Sequence, residues 1–153
     1  MSGEVKGQWS TFKGDTYEML KPIRIAETAL YVDDLGRAAD FYTGLFGCAV
    51  LRRDDRLCAL RIADEQVLLI FKRGGSLEPS HLPGGLIPAH DGTGPLHVCF
   101  GINQDELEPW AEKLKAEGIA IESRVTWPTG ATSLYFRDPD QHAVELATPG
   151  IWG

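Results

Sequence analysis

At 153 residues, with 43% hydrophobic side chains, the chain is long enough to bury a core without staples and short enough to be one domain. A formal net charge of −7 and an isoelectric point near 5.0 argue against a nucleic-acid groove, which needs a basic footprint, and against docking on an anionic membrane. Three cysteines (Cys48, Cys58, Cys99), odd in number and without a CxxC pair, read as reduced thiols, mostly packed, in a cytoplasmic protein. No run reaches the roughly 18 apolar residues of a membrane span, and the start has no apolar signal region.

In chain order, residues 1–20 form a polar leader, with Trp9, Phe12 and Tyr17 as its candidate anchors and Met19 as an alternative start. Residues 21–153 are expected to form a single domain of two modules, 21–72 and 95–149, joined by a loop at 73–94. The first module opens with a strand near 24–32. Thr28, Leu30 and Val32 lie on one of its faces, and Glu27, Ala29 and Tyr31 on the other. Asp34 is a suitable N-cap for a helix near 35–46, whose stripe is Ala38, Phe41, Tyr42 and Leu45, and Gly47 suits its left-handed end. Strands near 48–54, 57–63 and 66–72 follow, turned at Asp54-Asp55 and Asp64-Glu65. The Gly- and Pro-rich stretch 73–94 is too long for a simple hairpin and reads as an irregular rim.

The second module repeats this order. A strand near 95–102 sets Val98, Phe100 and Ile102 against His97, Cys99 and Gly101. A helix near 105–117 carries Leu107, Trp110, Ala111 and Leu114 and precedes Gly118. Strands near 119–126, 132–137 and 142–147 turn at Pro128-Thr-Gly130 and Asp138-Pro-Asp140. Each sheet thus has a bulky face for its helix and a face of small or polar residues. Glu27, His97 and Glu145 fall on the second kind of face, with Ala29, Cys99, Ala143 and Ala147 beside them. Two strand-borne acids and a strand-borne histidine among small neighbours form a plausible cation site with room for a ligand.

The segments Tyr31-Val-Asp-Asp-Leu-Gly-Arg-Ala-Ala-Asp-Phe-Tyr-Thr-Gly-Leu-Phe-Gly47 and Leu134-Tyr-Phe-Arg-Asp-Pro-Asp-Gln-His-Ala-Val-Glu-Leu146 resemble the vicinal oxygen chelate superfamily of glyoxalases, bleomycin resistance proteins and extradiol dioxygenases. The resemblance spans about residues 24–149. It implies an α+β fold in which two βαβββ modules form a cupped mixed sheet around a divalent metal. Carried over by position, the ligands of that family fall on Glu27, His97 and Glu145. Leu69 stands where glyoxalase I has a further carboxylate, so a four-ligand site is incomplete. One histidine and two carboxylates make a harder set than the two histidines and one carboxylate of Fe(II) dioxygenases. The cofactor expected is a divalent ion, among Mn, Ni, Co, Mg, Zn and Fe.

Three functions stay open on the sequence. The first is a metal-dependent lyase or isomerase of the glyoxalase type, in which the cation stabilises an oxyanion and Glu27 or Glu145 moves the proton. The second is an extradiol-type dioxygenase, and the third a non-enzymatic ligand-binding protein of the bleomycin-resistance kind. Glu27 is either a metal ligand or a site acid paired with Arg24 or Arg61. His90 is a solvated loop residue, a substrate contact or a supplementary ligand. Ser133 and Tyr135, on one strand face with Arg137, and Trp127 are candidate substrate contacts, whereas His142 reads as a turn or packing residue. The expected partners are a small-molecule substrate and a second copy of the chain, with the modules paired within a chain or swapped between two.

Overall fold

The computed structural model describes residues 20–153, so residues 1–19 of the leader, with its three candidate aromatic anchors, lie outside the described residues. Strand β1 (Glu27–Val32) leads into helix α1 (Leu35–Phe46), and β2 (Ala49–Arg53), β3 (Leu57–Ala63) and β4 (Gln66–Lys72) follow. They form a four-stranded sheet in the order β1-β4-β3-β2, in which β1 runs parallel to β4 and the other pairs are antiparallel. A hairpin of β5 (Ser80–Leu82) and β6 (Gly85–Ile87) comes next. The second module holds β7 (His97–Gly101), a 3-10 turn (Gln104–Glu106), α2 (Leu107–Ala116), β8 (Ser123–Thr126), β9 (Thr132–Arg137) and β10 (Ala143–Ala147). Its sheet order, β7-β10-β9-β8, repeats that of the first, again with one parallel pair. The α+β class and the paired βαβββ modules are as the sequence predicts, with the two sheets hydrogen-bonded separately.

Local chemistry accounts for the helix ends. The Asp34 carboxylate accepts the Arg37 N–H at 3.0 Å, a cap that contributes about 1 kcal/mol. Gly47 ends α1 at φ 62°, where a side chain would be strained, and its N–H donates to Thr43 O at 2.9 Å. The second helix begins later than predicted. Glu106 folds back to accept the Asn103 N–H, which closes residues 104–106 as a 3-10 turn, and Pro109 has no N–H to give to the first α turn. β8 is shorter than predicted because residues 119–122 carry the chain off the helix, with Ile119 N–H bonded to Leu114 O at 2.8 Å. The 73–94 stretch, read as irregular, contains the β5–β6 hairpin.

One hydrophobic core serves both modules. The even-numbered faces of the first sheet (Leu30, Val32, Cys58, Leu60, Leu68, Ile70) join Leu134, Phe136, Val144 and Leu146 of the second around the buried stripe of α1. The helices meet where Phe46 packs on Phe100 and Trp110, with ring centroids 4.6 and 5.7 Å away. Polar bonds fix the seam. His142, fully buried, accepts the Leu96 N–H on Nδ1 at 2.7 Å, so its hydrogen sits on Nε2 and is donated to Tyr31 O at 2.8 Å. Buried Asp138 accepts the Tyr42 hydroxyl at 2.7 Å and also the backbone N–H groups of Asp140 and His142. Among the described residues no helix is long and apolar enough to cross a membrane.

Candidate functional site

Strand register builds one polar face on the second sheet. Across β7, β10 and β9, His97, Ala143 and Arg137 form one row and Cys99, Glu145 and Tyr135 the next; Gly101, Ala147 and Ser133 form the third. Alternation puts all nine on the face opposite the core. The small residues flanking Glu145 on its own strand, Ala143 and Ala147, leave space above it.

Glu145 is only 4% exposed, so its carboxylate depends on the protein for partners. Oε1 accepts the Ser133 hydroxyl at 2.5 Å, and Ser133 Oγ accepts the Trp127 indole N–H at 2.8 Å. Oε2 lies 3.3 Å from His97 Nε2. The other nitrogen of His97, Nδ1, is 2.9 Å from Ala143 O. A carbonyl only accepts, so Nδ1 carries the hydrogen and Nε2 is the ring atom turned towards the carboxylate. An imidazole nitrogen and a carboxylate oxygen at this separation are joined by a positive particle, either a proton or a metal ion. An Nδ1–H anchored on a backbone carbonyl is the usual orientation of a metal-binding histidine. The pair therefore fits a divalent cation at two coordination positions.

The surroundings are consistent with a carboxylate. Burial first, and then the neighbouring Glu145 carboxylate, hold the Tyr135 phenol above its ordinary value. The Tyr135 ring stacks beside His97 with centroids 6.3 Å apart. Shielding by its strand neighbours, followed by the charge of Glu145, pushes the Cys99 thiol up to about 12. Cys99 is exposed on this face and not packed in the core.

The first sheet presents a different surface. Glu27, Ala29 and Tyr31 of β1 lie beside Val67, Leu69 and Phe71 of β4. His90 covers the far end of this face. Its Nδ1 is hydrogen-bonded to the Tyr31 hydroxyl at 2.7 Å, its ring meets Phe71 edge-on at 4.6 Å, and its backbone N–H donates to Ser76 O. Gly92 passes so close over Tyr31 that a Cβ there would fall 2.5 Å from the ring. Arg56 sits 5.9 Å from the Phe71 ring centroid and donates to Ser76 Oγ. This surface is aromatic and apolar, with Glu27 exposed at its near end.

Glu27, His97 and Cys99 border a common cleft of about 450 Å3 at the edges of the two sheets. Arg24, weighed as a partner for Glu27, pairs instead with Glu65 at 3.4 Å. Among the described residues of the single chain, no three His, Cys, Asp or Glu side chains are gathered closely enough to hold a metal ion. The structure thus brings His97 and Glu145 together and leaves Glu27 across the cleft, with His90 held by Tyr31. Of the candidate substrate contacts, Tyr135 faces the site, while the Ser133 hydroxyl is bonded to Glu145 and the Trp127 indole to Ser133. Arg137 is bonded to Glu122 and Gln141.

The profile of the Glyoxalase/Bleomycin resistance protein/Dioxygenase superfamily matches residues 24–146. The chain belongs to this superfamily. A crystal structure of lactoylglutathione lyase from Agrobacterium tumefaciens is 34% identical, with a TM-score of 0.79 over 86% of this chain and 98% of that one. A probable lactoylglutathione lyase from Vibrio cholerae is 29% identical over 80% of this chain and 88% of its own length. The metallothiol transferase FosB of Bacillus licheniformis is 25% identical over 79% of this chain and 72% of its own. These relatives are enzymes, and the glyoxalase superfamily frames the site.

Two features escaped the sequence reading. The Trp127–Ser133–Glu145 chain depends on a tight turn returning an indole over its own strand, and spacing alone does not reveal that. The Tyr31–His90 bond joins residues 59 positions apart.

Proposed function

We propose that this protein is a metal-dependent enzyme of the glyoxalase type, a lyase or isomerase acting on a small molecule with adjacent oxygens. The observation that carries the proposal is the buried Glu145 carboxylate facing the anchored His97 imidazole. His97 Nε2 and Glu145 Oε2 would hold the cation, and Glu27 would complete the protein's share of the ligands. A bound divalent metal supplies Lewis-acid stabilisation of a developing oxyanion. One imidazole and two carboxylates favour Mn, Co, Ni or Mg over an iron site for oxygen chemistry. Tyr135, stacked on His97, and His90, at the end of the aromatic face, would contact substrate. Glu27 lies apart from His97 and Glu145 within one chain, so we assign the working unit to a homodimer in which Glu27 of one copy approaches His97 and Glu145 of the other.

Lactoylglutathione, named in two of the relatives, is the first compound to assay. The test is to follow its thioester absorbance in both directions, with and without added divalent metal, for the wild type and for His97→Ala. Metal-dependent turnover that disappears in a folded His97→Ala variant supports the proposal. Metal-independent ligand binding without turnover would return the protein to the binding-protein reading, and oxygen consumption with iron to the dioxygenase reading.

A further inference from the structure

We infer that Trp127 and Ser133 are positioning residues that hold Glu145 as a one-oxygen metal ligand and are not contacts for the substrate. The inference rests on the metal reading above and adds a role for two residues outside the ligand set.

An indole N–H can only donate, so Ser133 Oγ must accept from Trp127 at 2.8 Å. The serine hydroxyl has one hydrogen, and with Oγ accepting from the indole that hydrogen goes to Glu145 Oε1 at 2.5 Å. This run of bonds turns Oε1 towards Ser133. Oε2 is the oxygen turned to the cation position, facing His97 Nε2 at 3.3 Å. Ser133 is fully buried, so neither water nor substrate reaches its hydroxyl.

The backbone is shaped to deliver this chain of bonds. Residues 127–130 form a tight turn in which Gly130 N–H donates to Trp127 O and Gly130 takes φ 87°. Trp127 N–H donates in turn to Ala131 O, which folds the indole back over the start of β9. Thr132 N–H donates to Thr148 Oγ1 at 2.8 Å, tying the start of β9 to the exit of β10 and fixing Ser133 beside Ala147. Ala147 is small enough to leave the serine hydroxyl its line to Glu145. With both carboxylate oxygens engaged, Glu145 is withdrawn from proton transfer. Glu27, exposed at the cleft, is left as the carboxylate free to exchange a proton.

Titration of the full chain with Co2+ tests the inference, read by equilibrium dialysis and by the visible absorption of the bound ion. In Ser133→Ala, Co2+ affinity should fall roughly 10–100-fold, the range for loss of an outer hydrogen-bond partner. The absorption should also weaken, because the released Oε1 can join Oε2 and raise the coordination number. Trp127→Phe keeps a ring in place but removes the N–H, and it should shift both readouts in the same direction by less. It also serves as the test if Ser133→Ala does not fold. Unchanged Co2+ affinity and spectrum in variants that are merely less stable would overturn the inference and leave the metal reading standing. A wild type that takes up no Co2+ would overturn both.

Discussion

Removing one hydroxyl from the centre of the molecule tests whether the module seam is held as described. Tyr42→Phe leaves the ring in place, so the helix stripe keeps its packing, and it deletes only the donor to Asp138 Oδ2. Tyr42 is fully buried and Asp138 is 2% exposed, so no water can replace the lost bond. The other oxygen of Asp138 already accepts from Asp140 and His142 and cannot compensate. Losing a buried bond to a carboxylate costs about 1.5–3 kcal/mol. With a urea slope of about 1–3 kcal/mol/M, the unfolding midpoint should drop by about 1 M at unchanged slope. Equilibrium urea unfolding followed by far-UV circular dichroism measures this. A midpoint within about 0.2 M of the wild type would refute the reasoning, because it would mean that the Asp138 carboxylate does not depend on Tyr42.

Three further outcomes follow from the site. Although exposed, Cys99 should react slowly with iodoacetamide at pH 8, because a thiol pushed up to about 12 holds only about one part in ten thousand as thiolate. Glu145→Gln removes a charge that disfavours the thiolate and should speed that reaction; peptide mapping of the alkylated chain would show a rate like that of a free thiol if the reasoning fails. Gly92→Ala puts a methyl into the Tyr31 ring and should lower stability by about 1–3 kcal/mol, as overpacking does, while opening the Tyr31–His90 bond; a thermal melt matching the wild type contradicts it. Glu27→Gln keeps an oxygen donor but no proton acceptor, so metal content should hold while kcat falls roughly 10²–10⁴-fold, the usual worth of a general base; equal loss of metal and activity would make Glu27 a ligand alone.

Much of the fold is legible in the sequence because alternation and capping are local. The Asp34 cap, the Gly47 end and the strand faces of Leu30-Val32 and Val144-Leu146 follow from residue type and spacing. The His97–Glu145 pair is legible for a related reason: the two modules repeat, and parallel pairing of β7 with β10 brings their polar faces together. What stays hidden depends on long-range geometry. Leu114 to Glu122 could continue as helix, turn or strand until the core fixes where the chain leaves α2. The 73–94 stretch shows its Gly and Pro residues but not that His81 and Leu86 pair across a hairpin. Ser133 reads as a substrate contact from its strand face alone, and only the Trp127 turn shows that its hydroxyl is already committed.

The central claim is that His97 and Glu145 share a cation to which Glu27 also turns. The most direct measurement is a crystal structure of the full chain grown with Ni2+, with the ion located by anomalous scattering. One anomalous peak per chain is expected, between His97 Nε2 and Glu145 Oε2, with the Glu27 carboxylate of a second copy beside it. Ions found only elsewhere, with His97 and Glu145 joined by a proton alone, would contradict it.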